Sequence, residues 1–182
     1  MQGIEQDKLA GAICAATKEV FETMLNIELA SEPAYMEPKI SETSDGVVAF
    51  LGLAGQWIGS GILHCDVAMA GKLYTGLLMA EPPAEGEYSI TADVLDAVAE
   101  VANMIIGNVK NNLEEQLGPL GMSIPTVVFG RNFRTHSAAN DAWIVVPFVS
   151  GGSRMDVRLC LAPSREPQAV KHGFAVPRMF VI

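Results

Sequence analysis

The stretch that decides the fold is TADVLDAVAEVANMIIGNVKNNLEEQLGP, residues 91–119. Its polar positions recur at steps of three and four, and mostly apolar residues lie between them. These positions are Asp93, Asp96, Glu100, Asn103, Gly107, Lys110 and Glu114. Because residues three or four apart share one face of a helix, the spacing predicts one long helix with a narrow exposed edge. Thr91 is the expected N-cap, and Gly118-Pro119 is the expected stop.

Apolar periodicity and turn residues predict the elements around this helix. A first helix is expected over residues 8–29, ended by Pro33 and Pro38, and a shorter helix over residues 67–79, capped by Asp66. Strands are expected at about residues 34–41, 46–53, 56–65, 123–131, 142–149 and 154–162. Together these elements predict an α/β domain of the α+β type, with a mostly antiparallel six-stranded sheet and two long helices on one face.

The two halves of the chain follow the same plan: a helix, a strand, and an apolar hairpin that ends in a cysteine. Setting Val48 over Trp143 also brings Cys65 over Cys160. This correspondence predicts an internal pseudo-two-fold repeat of a helix plus three strands.

The composition excludes several classes of protein. With 49% hydrophobic residues, the 182-residue chain can bury a core and is not a disordered chain. A formal net charge of -9 with only 12 Lys plus Arg argues against nucleic-acid or anionic-membrane partners, which need a basic surface. Residues 46–65 carry no formal charge, but their glycines favour a buried hairpin over a membrane span. Three widely spaced cysteines and no recognisable leader favour the cytoplasm, and no metal site is expected.

The residue types on the exposed edge of the long helix are unusual for a solvated surface. Asn103 costs about 0.5 kcal/mol and Gly107 about 1 kcal/mol in helix propensity relative to Ala. Gly107 leaves bare backbone that a partner can approach, whereas Asp96 and Glu100 form an acidic flank. An Asn amide both donates and accepts hydrogen bonds, so it can orient a water molecule. We refer to Asp96, Glu100, Asn103 and Gly107 as the stripe, and we expect it to dock a basic partner.

The wider string DAVAEVANMIIGNVK, residues 96–110, resembles the DxxxExxNxxxG signature of the CheC, CheX and FliY family of chemotaxis phosphatases, and it is most similar to CheX. The following segment SIPTVVFG, residues 123–130, also resembles CheX proteins. The resemblance implies a CheX-like phosphatase domain over residues 1–162, followed by a C-terminal extension over residues 163–182.

The resemblance implies hydrolysis of the aspartyl phosphate on a CheY-type receiver domain of a response regulator. Carried over to this chain, Glu100 pairs with a receiver lysine and Asn103 orients the attacking water, while Asp96 and Gly107 contact the partner. No cofactor of its own is implied, because the receiver supplies Mg²⁺, and a homodimer joined through sheet edges is expected. Two alternatives stay open: a non-catalytic adaptor that docks a receiver or a flagellar switch component, and a small-molecule-binding α/β domain.

The first helix carries a degraded copy of this pattern. Ala15, Glu19, Glu22 and Asn26 stand where the stripe stands on the long helix. Glu22 replaces the Asn, and a carboxylate cannot donate to water and would repel a phosphoryl group. The sequence therefore predicts one working face per chain.

Overall fold

The computed structural model describes residues 6–38, 44–83, 88–135, 142–164 and 179–180. Within these residues the chain forms three helices and nine strand segments. The helices are α1 (Gln6–Val20, extended by one turn at Phe21–Leu25), α2 (Val67–Leu78) and α3 (Ala92–Leu117). The strands are β1 (Ala30–Ser31), β2 (Tyr35–Glu37), β3 (Ser44–Gly55), β4 (Trp57–Cys65), β5 (Leu120–Met122), β6 (Thr126–Thr135), β7 (Trp143–Ser150), β8 (Ser153–Pro163) and β9 (Met179–Phe180).

The strands form one sheet in the order β1-β7-β8-β4-β3-β6-β9, with β2 beside β7 and β5 beside β3. Every pairing in the sheet is antiparallel, which confirms the predicted fold class. The predicted count of six strands is wrong, because β1, β5 and β9 add three short segments. Segments of two or three residues are too short to show any periodicity in the sequence.

The sheet is pseudo-symmetric about the central pairing of β4 with β8, as the internal repeat predicts. The predicted equivalence of the two cysteines is wrong, however. Cys65 lies in the main core beneath the helices, whereas Cys160 lies in a smaller apolar cluster on the opposite face. Strand residues on opposite faces cannot be symmetry equivalents.

The hairpins differ in length by one residue. In the first, Ala54 pairs with Ile58, whereas in the second the equivalent Val149 pairs with Arg154, which leaves one more residue between the paired positions. A one-residue shift moves every following side chain to the other face of the sheet. This insertion therefore explains why Cys160 faces away from the helices.

Helix α1 ends earlier than the sequence predicts. The helix stops at Leu25 rather than near residue 29, and Asn26 takes the left-handed conformation with φ 52°. The backbone N–H groups of Asn26 and Ile27 both donate to the carbonyl of Phe21, so the last turn is wider than an α-helical turn. Asparagine tolerates this conformation at a helix C-terminus, and the helix has ended well before Pro33.

The other two helices begin at their predicted caps. The Asp66 carboxylate accepts from the backbone N–H of Met69 at 2.7 Å, and the Thr91 hydroxyl accepts from that of Val94 at 3.3 Å. Helix α3 then runs for 26 residues and ends at Gly118, as predicted. Within the described residues, no helix combines the length and apolar character needed to cross a bilayer.

A close contact between Gly61 of β4 and Ile106 of α3 holds the helix against the sheet. A Cβ atom added to Gly61 would lie 2.7 Å from Cδ1 of Ile106, so only glycine permits this separation. Ile105, Ile106 and Val109 of α3 are fully buried in the main core. With this side of α3 against the sheet, its opposite side faces outward.

A polar network lies on the sheet face opposite the helices. The His64 imidazole contacts the Asp156 carboxylate at 3.2 Å and the carbonyl of Asp45 at 2.9 Å. The buried Arg158 guanidinium donates to both Asp156 and Glu37. Burial disfavours the charged imidazole, but the hydrogen bond and charge of Asp156 outweigh it, so the pKa of His64 is raised above its usual 6.5.

We expect this histidine to make the free energy of unfolding depend on pH. Because the pKa of His64 is raised in the folded state, its contribution is fully present below pH 6.5 and is lost as the pH rises through the raised value. Asp156, whose pKa is lowered, does not titrate in this window. Urea unfolding of wild type and His64→Gln should therefore differ most near pH 5.5 and less near pH 8.5. A difference that stays constant or grows with pH contradicts this assignment.

Candidate functional site

The structure places the four residues of the stripe on one side of α3. Asp96 and Glu100 are exposed, and Asn103 and Gly107 are half-buried. The stripe spans eleven residue steps, or about 16 Å of helix at 1.5 Å per residue. Because the opposite side of α3 is held in the core, the four residues are presented on a rigid element.

The acidic end of the stripe is available to a partner. Within the described part of the chain, no ion pair or side-chain hydrogen bond involves Asp96, Glu100 or Asn103. Further along the same side, the Lys110 ammonium donates to the Glu114 carboxylate at 2.5 Å. This hydrogen bond, with one from the backbone N–H of Leu120, lowers the pKa of Glu114. Lys110, one turn beyond Gly107, is therefore directed toward Glu114. It does not offset the negative charges of Asp96 and Glu100 at the other end of the stripe.

Strand β5 runs beside the stripe. The backbone N–H of Leu120 donates to Glu114 at 3.5 Å, and the methyl of Met122 lies 3.7 Å from where a Cβ on Gly107 would be. Sequence reasoning missed Met122, because nothing in the sequence indicates that β5 folds back along α3. Gly107 otherwise faces open space, so its backbone is accessible from outside.

The degraded pattern on α1 differs from the stripe in backbone as well as in side chains. Glu22 lies in the widened last turn, and Asn26 is the left-handed cap rather than a helical residue. The Glu19 carboxylate accepts a hydrogen bond from the Asn108 amide of α3 at 3.4 Å. A continuous helical face like that of α3 is therefore absent from residues 6–26 of α1.

Three other kinds of site receive little support. An open cleft beside the end of α1 mixes charged and apolar lining and does not resemble a deep apolar ligand pocket. Its lining residues are Lys18, Phe21, Glu22, Asn26, Ile27, Glu28 and Leu29. Among the described residues there is no group of three or more His, Cys, Asp or Glu side chains placed to hold a metal ion. His64 and Cys65 lie on opposite faces of β4, so they do not form a catalytic pair.

Comparison with known proteins identifies the family of this chain. Residues 47–149 match the family model described as chemotaxis phosphatase CheX. This match includes the whole of α3 and therefore all four residues of the stripe. No curated protein sequence matches the chain.

Solved structures of chemotaxis proteins share the fold. A CheX protein from Vibrio vulnificus superposes with a TM-score of 0.73 at 24% identity, over 85% of this chain and 99% of that one. A CheX protein from Desulfovibrio desulfuricans gives 0.71 at 25% identity, over 85% and 99% of the two chains. A CheX–CheY complex with BeF3 and Mg²⁺ from Borrelia burgdorferi gives 0.63 at 23% identity, over 83% and 96%.

Proposed function

Because the chain belongs to the CheX family of chemotaxis phosphatases, we propose that it hydrolyses the aspartyl phosphate of a CheY-type receiver domain. The observation that carries this proposal is the stripe: Glu100, Asn103 and Gly107 follow one another at single-turn intervals on the outward side of a rigid helix. A partner that holds a phosphoryl group in a shallow pocket can be reached by such a convex surface.

The chemistry requires little from this chain beyond positioning. Water attacks the phosphorus of the acyl phosphate, the bond to the aspartate oxygen breaks, and inorganic phosphate leaves the receiver carboxylate. In this proposal the receiver supplies the Mg²⁺ that neutralises the phosphoryl oxygens. The presence of BeF3 and Mg²⁺ in the CheX–CheY complex of the related protein supports this. The element that this chain adds is an oriented nucleophile, which the Asn103 amide provides by hydrogen bonding to the water.

The remaining stripe residues align the two proteins. Glu100 pairs with a receiver lysine, and Asp96 adds negative charge one turn away. Gly107 lets the partner approach the helix backbone closely. We also propose that the chain acts in the cytoplasm as a homodimer joined through a sheet edge, since edge strands offer unpaired backbone groups to a second copy.

A dephosphorylation time course tests the function directly. A purified receiver labelled on its phosphoaspartate is mixed with Mg²⁺ and a tenfold smaller amount of this chain. We expect the label to be released as inorganic phosphate faster than from the receiver alone, with several turnovers per chain. If the chain binds the phosphorylated receiver without accelerating its decay, the adaptor interpretation is correct instead.

The substitution Gly107→Ala distinguishes the effect of this position on the free energy of unfolding from its effect on receiver binding. A Cβ at this position meets only the Met122 methyl at 3.7 Å, so Gly107→Ala should fit and raise the free energy of unfolding by about 1 kcal/mol. If a receiver approaches the bare backbone, the same change should weaken receiver binding several-fold. Thermal unfolding and calorimetric titration measure the two effects.

Gly11 provides the matched control for this experiment. It lies on the exposed side of α1, with nothing within 4 Å of an added Cβ. Gly11→Ala should stabilise the chain to a similar extent and leave receiver binding unchanged. If the two substitutions have equal effects on receiver binding, Gly107 is not part of the docking surface.

A further inference from the structure

Three large apolar residues lie at the end of β5, between β5 and β6, and in β6, and we refer to Met122, Ile124 and Phe129 as the apolar flank. Ile124 is 86% exposed and Phe129 is 46% exposed, so two large apolar side chains five residues apart are open to solvent. Met122 is half-buried, with its methyl next to Gly107. An apolar side chain therefore lies directly beside the Gly107 end of the stripe.

The path of the chain brings Ile124 toward the catalytic end of the stripe. Leu120 contacts Glu114 and Met122 lies at Gly107, so β5 advances toward the N-terminus of α3. Two further residues of extended chain cover about 7 Å. That distance corresponds to slightly more than one turn of α3 and places Ile124 level with Asn103.

The backbone on both sides of Ile124 is fixed. The backbone N–H of Ser123 donates to the carbonyl of Gly52 at 2.9 Å, and the Ser123 hydroxyl accepts from the N–H of Gly52 at 2.8 Å. Pro125 follows and restricts its own φ angle and the conformation of Ile124. The backbone of Ile124 is therefore held in place, and nothing in the described residues covers most of its side chain.

Phe129 lies on the same side of the sheet as the helices. It pairs with Val47, which is buried in the main core, and directly paired residues of antiparallel strands project to the same face. The apolar flank thus extends along the edge of the sheet on the side that carries α3.

We infer that the apolar flank, with Ile124 as its anchor, packs against an apolar surface of the receiver domain next to its phosphorylation pocket. This inference rests on the proposed function, because the flank continues the surface that the stripe presents. Polar and charged contacts at an interface give orientation and specificity, whereas buried apolar anchors at its centre supply much of the binding energy. A β-branched side chain on a fixed backbone loses little conformational freedom when it is buried, so Ile124 is well suited as an anchor.

The test replaces the exposed isoleucine by a polar residue of smaller size. Ile124→Asn should raise KM for the phosphorylated receiver by on the order of 10-fold and leave kcat near that of wild type, because the catalytic residues are untouched. Calorimetric titration with the BeF3-bound receiver should show a similar loss of affinity. Thermal unfolding should be unchanged, since the side chain is exposed.

Met79 provides the matched control. It is 92% exposed at the end of α2, in a left-handed conformation that asparagine also tolerates. Met79→Asn removes a similar apolar side chain away from the stripe and should leave KM, kcat and receiver affinity unchanged.

The possible outcomes distinguish the two proposals. If wild type hydrolyses the receiver phosphate but Ile124→Asn has the KM of wild type, this inference is wrong and the proposed function stands. If Ile124→Asn changes only self-association, measured by sedimentation, the flank contacts a second copy of the chain and the inference is again wrong. If the wild-type chain neither binds nor dephosphorylates the receiver, the proposed function and this inference are both wrong.

Discussion

Asn103→Ala should lower the rate of receiver dephosphorylation by on the order of 10²-fold or more while the fold stays intact. Under the proposed mechanism the loss follows because alanine has no amide to hold the attacking water, while the receiver supplies the metal and the leaving group. Within the described residues no hydrogen bond ties the Asn103 side chain to the rest of the chain. Alanine is also the better helix former by about 0.5 kcal/mol, so the melting temperature should stay the same or rise.

Asn111 is the control for this substitution. It is an exposed asparagine on α3, two turns beyond Asn103 and past the Lys110 position. Asn111→Ala makes the same chemical change outside the stripe and should leave kcat and KM unaltered. Near wild-type turnover by Asn103→Ala, or an equal loss in Asn111→Ala, would exclude Asn103 as the residue that orients water.

Glu100→Lys should weaken binding of the BeF3-bound receiver by on the order of 10²-fold, because it places a positive charge against the receiver lysine. Glu100 is exposed and lacks a charged partner in the described residues, so the change should not unfold the chain. Wild-type binding should also weaken as ionic strength rises, and this dependence should be smaller in the variant, which keeps Asp96 but loses the attraction at Glu100.

The control for charge reversal comes from the C-terminal part of the same helix. Glu114 is unsuitable, because its carboxylate already binds Lys110 and the backbone of Leu120, and its loss would disturb both. Glu115 is exposed and adjacent, so Glu115→Lys changes the net charge equally at a site outside the stripe. If both variants bind the receiver equally, the effect is one of overall charge, and Glu100 does not pair with a specific lysine.

The sequence by itself predicted the elements that have strong local signals. The three- and four-residue steps of residues 91–117 predicted α3 and its outward side, because helical periodicity is set by neighbours along the chain. The caps at Asp66 and Thr91 were predicted for the same reason, since a cap bonds to a backbone group only three residues away. Apolar runs separated by turn residues likewise predicted strands, which form an antiparallel sheet in the structure.

Only the tertiary structure decided the features that depend on distant contacts. The extra residue in the second hairpin changes the face of Cys160 through pairing register, which no local pattern reveals. Helix α1 ends at Asn26 through a left-handed turn that its apolar periodicity does not predict, so the degraded face is shorter than expected. Strand β5 runs back along α3, where the backbone N–H of Leu120 donates to the Glu114 carboxylate and the Met122 methyl lies next to Gly107. Three- and four-residue spacing could therefore predict the stripe. The apolar flank could not be predicted, because it forms only when the folded sheet brings β5 and the following residues beside α3.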